Sequence, residues 1–186
     1  MIFVGFFVGV FGLRLLRVNL SQFTSFVFWK NYGWGFLLWL IGGIVGWHLL
    51  VVDRLLWVYF SHPEEKVSLY IKDLINKGKF KQAVLDLEKY KDYQKHLSFR
   101  SAIFQVVWVT LAFFVLTSTP SFFGKGLVMA LGFHLLIDEW EDQLKDPQEL
   151  NAWLFWQIKR KITLREQKTF LWLMTGVFVI LTILVV

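Results

Sequence analysis

The sequence contains no cysteine, and its acidic groups are scarce, with fourteen Asp and Glu against twenty Lys and Arg. Without a thiol there can be no disulfide, thiolate zinc site, iron–sulfur cluster or cysteine nucleophile. The excess cations are gathered in blocks between apolar runs. That arrangement disfavours a nucleic-acid partner and matches retention of Lys and Arg on the cytoplasmic side of a bilayer. Residues 1–13 are apolar but lack a basic start and a small-x-small cleavage site, so they are expected to be retained rather than removed as a signal peptide. Neither a phosphate-cradling glycine loop nor a Ser/His/Asp nucleophile arrangement is present.

What is abundant is apolar and aromatic. Hydrophobic residues make up 56% of the 186, mean hydropathy is +0.51, and there are ten Trp and twenty Phe. Trp combines an apolar body with a polar tip and collects where lipid meets water. A spanning helix needs ~20 apolar residues to cross ~30 Å of hydrocarbon at ~1.5 Å per residue. Segments 1–16, 34–52, 101–118, 122–137 and 170–186 approach that length. The first is short and runs into Arg14 and Arg17, then into a polar stretch over 19–25. Gly42, Gly43 and Gly46 would let another helix come close to the second. That helix is expected to continue past Asp53 and Arg54 to Phe60. Pro120, in Thr119-Pro120-Ser121, marks a tight turn between the third and fourth.

The expected fold is therefore all-α: a polytopic membrane bundle of four to five spans, with a cytoplasmic helical hairpin and one interfacial amphipathic helix. The chain divides into membrane helices over 1–60, a hairpin over 61–100, two spans over 101–137, an interfacial segment over 138–169 and a last span over 170–186. In the hairpin, Val67, Leu74 and Ile75 recur at helical spacing, as do Phe80, Val84 and Leu87, with Gly78 placed as a C-cap between the two sets. The run from Leu150 to Trp156 reads as the interfacial helix. Segments 61–100 and 138–169 hold nine and six of the twenty cations and are separated by two spans. They share a side, and the positive-inside rule makes it the cytoplasm of a bacterial inner membrane.

This topology brings three span ends to one face: Asp53 and Arg54 from the second, Arg100 and Gln105 from the third, and His134, Asp138, Glu139 and Asp142 from the fourth. Positions 134, 138 and 142 step by four, so their side chains stack on one helix face. An imidazole and a carboxylate at that spacing can ligate one divalent cation. The plainer alternative is a His134 that bonds across helices, above acids that are the first hydrated residues after the span. Asp53 and Arg54 are read either as headgroup residues or, for Asp53, as a third ligand. Arg100 contacts lipid phosphate or clamps an anionic substrate. His48 is expected to bond to a neighbouring helix, and His62 to sit in solvated loop.

On these residues the chain resembles the membrane-bound metal-dependent hydrolases, the inner-membrane proteins described as LexA-binding. Gly42-Gly43-Ile44-Val45-Gly46 leading to Asp53 is similar to that family's glycine-rich span. The run from Ala130 to Asp138 resembles its Gly-x-x-x-His-Leu-x-x-Asp span end. Arg100-Ser101 stands where the family has a His-Ser pair, and Asp53-Arg54 where it has a longer acidic and histidine cluster. The resemblance covers roughly residues 40–142. It implies a metal site, and the enzyme expectation built on the span-end residues is a divalent-metal (zinc, manganese or magnesium) hydrolase with His134, Asp138 and Asp53 as ligands, Asp142 or Glu139 as base and Arg100 as anion clamp. A bound metal lowers the pKa of its water towards ~7, so such a site needs no separate nucleophile. The competing expectation is a non-enzymatic, membrane-anchored protein that docks a protein partner through the 61–100 hairpin. A transporter or channel would need mid-bilayer charge on more spans, or oligomerisation.

Overall fold

The structure, a computed structural model, describes residues 2–16, 26–90, 94, 96–118 and 121–186, side chains excepted at 2, 3, 26–31 and 88. Among these residues there are eight α-helices and no strand: α1 (Ile2–Leu16), α2 (Phe26–Leu56), α3 (Lys66–Asn76), α4 (Phe80–Lys89), α5 (Ala102–Ser118), α6 (Phe122–Lys145), α7 (Pro147–Leu154) and α8 (Leu164–Val185). The polar stretch at 19–25 and the turn residues 119 and 120 lie outside the described residues. Two helices, Tyr32–Ser61 and Leu164–Val185, are long and apolar enough to cross a membrane. The apolar stretches Val4–Leu16 and Ala102–Ser118 are shorter.

The centre of the molecule is the α2–α6 pair, and glycine makes it. A β-carbon on Gly42 or Gly46 would run into the carbonyl oxygens of Phe123 and Leu127, and one on Gly126 into that of Trp39. Backbone therefore lies against backbone, the closest approach two helices can make. The matched residues rise together along both helices, so α2 and α6 run parallel and end at the same end of the bundle. α1 packs antiparallel on α2, with Phe7 against Gly43 and Phe11 beside Phe36. Trp39 donates its indole N–H to the Phe7 carbonyl at 3.3 Å. On the far side, Gly132 leaves a slot for the Trp108 ring, and its N–H reaches the Val128 carbonyl at 3.1 Å.

Several helices outrun the apolar segments that announce them. α2 passes through Asp53 and Arg54 and widens into a π-helical turn, Trp57–Ser61, closed by the His62 N–H on the Trp57 carbonyl at 2.9 Å. Pro63 has no N–H with which to extend it. α6 reaches Lys145, two turns beyond the span expected to end at 137. α8 begins at Leu164 rather than 170, where Thr163 and Glu166 form a capping box. α7 begins at Pro147, capped by Asp146, and stops at Leu154 rather than running to Trp156. For α2, α6 and α8 the physical reason is common: backbone hydrogen bonding continues through polar residues until a cap or a proline ends it.

Beyond the π-turn, α3 and α4 fold back as a hairpin. Gly78, at φ +72°, makes the reversal. Its N–H bonds the Ile75 carbonyl and that of Lys79 bonds Leu74, both at 2.9 Å, a Schellman closure that only glycine reaches without strain. Ile71, Leu74, Ala83 and Leu87 form a small core with Trp57 and Val58.

Candidate functional site

The polar residues lie where the ends of α2 and α6 meet the start of α5. α2 carries Asp53 and Arg54 inward, 4% and 2% exposed, so they are buried by protein and not left among headgroups. The turn before α5 is tied to them: the Phe99 N–H donates to Asp53 Oδ2 at 2.8 Å. Ser101 then starts α5, its hydroxyl accepting from the Phe104 N–H at 3.2 Å.

Arg100, next in sequence, turns towards α6 and forms an ion pair from Nη2 to Asp138 Oδ2. Its guanidinium also lies over the Trp153 ring, 5.5 Å from the centroid. His134 stands one turn earlier on α6. Its ring stacks on Trp47 at 3.9 Å and 6°, and Nδ1 lies 2.9 Å from the Trp47 carbonyl. A carbonyl can only accept, so Nδ1 carries the proton, and Nε2 faces Asp138 Oδ1 at 3.7 Å. That distance is too long for a hydrogen bond. Glu139 is fully buried; Oε1 accepts from the Gln105 amide, while Oε2 has no hydrogen-bond partner among the described residues. Asp142 accepts from the Trp153 indole N–H at 3.1 Å.

The six residues expected to form a site are thus brought to one end of the bundle but not to one point. Arg100, His134 and Asp138 form a chain of contacts. Asp53 is held against the Phe99 backbone, Glu139 against Gln105, and Asp142 against Trp153. Among the described residues, no three His, Asp or Glu side chains come together as a group able to hold a metal ion. The residues best placed for a cation are His134 and Asp138. The Nδ1 proton sits on a backbone carbonyl, as it does in many ligating histidines, and leaves Nε2 turned to a carboxylate.

Two other histidines differ from expectation. His48 is exposed and bonds within its own helix, to the Ile44 carbonyl at 2.8 Å. His62 stacks on Trp57 at 4.6 Å instead of standing free in loop.

A second polar cluster had no signature in the sequence. The buried Gln167 of α8 donates to Gln143 at 2.9 Å and to the Pro147 carbonyl at 3.0 Å, and accepts from Asn151 at 2.8 Å. Amides satisfy one another in this way without charge, joining α6, α7 and α8. Single amides on three separate helices, Gln143, Asn151 and Gln167, carry no spacing rule that would reveal such a network.

No protein-family model, curated protein or solved structure matches this chain.

Proposed function

We propose that the chain is a multi-span membrane protein acting as an anchored docking platform, with α3 and α4 displayed at the cytoplasmic headgroup level. The membrane reading draws on the outer faces of the helices. α2 presents Trp34, Leu38, Ile41 and Val45 outward, α5 presents Val106, Leu111 and Phe114, and α8 presents Leu173, Ile180 and Ile183, all exposed. The core helix of a soluble domain would bury most of such a window, whereas only about a third of each long apolar helix is buried within the protein. Orientation follows the cations, with both basic segments on the cytoplasmic side.

The observation that carries the docking role is the exposed apolar set on the hairpin. Leu69 on α3 and Phe80, Val84 and Leu85 on α4 remain exposed after the hairpin has filled its own core. Lysines 66, 72, 77, 79 and 81 lie on the same hairpin, within a few residues of them in sequence, so the partner is a protein segment with acidic and apolar residues at helical spacing. Meanwhile the polar side chains of the span ends are occupied with contacts between elements, which suits a lock better than a reaction centre. A photo-crosslinking residue at position 80, in intact membranes, should give a discrete protein adduct that disappears in Leu69→Ser/Leu85→Ser. Adducts with lipid alone would end the docking reading.

One observation favours a second reading, that of a divalent-metal hydrolase. His134 Nε2 and the Asp138 carboxylate are oriented as two ligands of a shared cation would be. Substrate and water would have to complete the shell, because Asp53 does not join them. Metal content of the purified protein separates the two readings. Stoichiometric metal lost in His134→Ala favours the hydrolase, and its absence from the parent protein rules it out.

A further inference from the structure

α8 carries a stripe that neither the docking hairpin nor the span-end cluster uses. Arg165 lies three and four residues before Lys168 and Thr169, and Trp172 lies four and three residues after them, so the four share one helix face. With Leu164 they line an open depression of about 540 Å³. Neither Arg165 nor Lys168 belongs to an ion pair among the described residues. The acid of that turn, Glu166, is engaged by Thr163 and by Arg160, which it meets at 2.7 Å. Trp172 is 66% exposed, its ring edge against Trp140 at 5.1 Å.

The same face continues down the helix as Gly176, Val179, Ile180 and Ile183. Among the described residues, nothing beyond the helix's own backbone lies within 4 Å of where a side chain on Gly176 would begin, and the three branched residues are exposed. From Trp172 to Ile180 is ~12 Å at ~1.5 Å per residue, within the ~15 Å half-thickness of a hydrocarbon core. Two cations outside any ion pair among the described residues, then an indole, then an exposed apolar helix face follow the order phosphate, glycerol backbone and acyl chain.

We propose that this face of α8 is a binding site for one anionic phospholipid of the cytoplasmic leaflet. Arg165 and Lys168 hold the phosphodiester, Trp172 covers the glycerol level, and one acyl chain lies over Gly176. Arg165 supplies paired N–H donors to the phosphate oxygens, while Lys168 acts as a point charge. The site rests on the membrane reading above but not on the docking role of the hairpin.

The test uses full-length protein, delipidated in detergent and titrated by native mass spectrometry with phosphatidylglycerol or with phosphatidylcholine of the same acyl chains. Phosphatidylglycerol should bind about 30-fold more tightly, the joint contribution expected of two cations near an anionic headgroup. Arg165→Gln/Lys168→Gln, at exposed positions, should abolish that preference, while Lys77→Gln/Lys79→Gln on the hairpin should leave it intact. Gly176→Leu should weaken both lipids alike. Equal binding of the two lipids, or a preference that survives Arg165→Gln/Lys168→Gln, overturns the proposal. So does displacement of the lipid by equimolar glycerol 3-phosphate, which would mark a site for free phosphoesters. Alkaline carbonate extraction reads the membrane assignment separately. Protein released to the supernatant overturns that assignment, whereas membrane-retained protein without lipid preference overturns this site alone.

Discussion

The α2–α6 seam and the α3–α4 hairpin both depend on glycine, in opposite ways. In the seam, Gly42, Gly46 and Gly126 are needed for what they lack, because any side chain would meet the opposing backbone. In the hairpin, Gly78 has open space around it and is needed only for its backbone angle. The seam has no hydrophobic driving force if it lies in lipid, since lipid tails are as apolar as leucine. Close dispersion contact takes its place, and that contact is lost if the helices are held apart. The hairpin is held by burying Ile71, Leu74, Ala83 and Leu87 away from water.

Substitutions should separate these regions by size of effect. Gly46→Leu should be the most damaging, at about 3 kcal/mol or more, because the obstacle is backbone that cannot rotate aside. Loss of a monodisperse peak in detergent, or a large fall in unfolding temperature, would register it. Next comes the polar lock between the helix ends. Asp138→Ala should cost ~3 kcal/mol by stranding the Arg100 guanidinium, while Arg100→Met/Asp138→Leu should cost less than the two single changes together. A strictly additive double-mutant cycle would show that the pair is not coupled.

The hairpin should respond more weakly. Gly78→Ala should cost about 1 kcal/mol, the usual penalty for a left-handed backbone with a β-carbon. Phe80→Ser should change stability by no more than ~0.5 kcal/mol, since its ring is exposed. The smallest effect is electrostatic. The Tyr70 hydroxyl donates to Asp86 Oδ2 at 2.9 Å, which raises the phenol above its ordinary range. The bond is thus intact through neutral pH and is lost as pH climbs past the raised value. In Asp86→Asn the phenol should titrate lower, as carbon-13 NMR of labelled tyrosine would report.

Periodicity made the hairpin legible. Apolar positions three and four apart announced α3 and α4, and a glycine between them announced the reversal, because each signal is local and repeats the geometry of one helix. The apolar runs likewise announced α2, α5 and α8. Some ends were less visible: α8 starts six residues earlier, at Leu164, and α6 runs on to Lys145, through residues whose polarity suggests loop. The span-end site was legible as a gathering of polar residues at one end of the bundle. Its pairings were not. Nothing in the order of residues says that Arg100 turns to Asp138 while Asp53 takes a backbone N–H, or that Trp47 offers both its ring and its carbonyl to His134.

The sequence alone determined that this chain is helical, where its apolar runs lie and which short helices are amphipathic, since these depend on composition and spacing within a few turns. Tertiary structure decided which helix lies against which, and therefore which charges are matched. Uniformly apolar helices carry no facing information in their hydropathy. Only the fit of Gly42, Gly46 and Gly126 against carbonyl oxygens, and of Trp108 over Gly132, selects one arrangement among many of similar polarity.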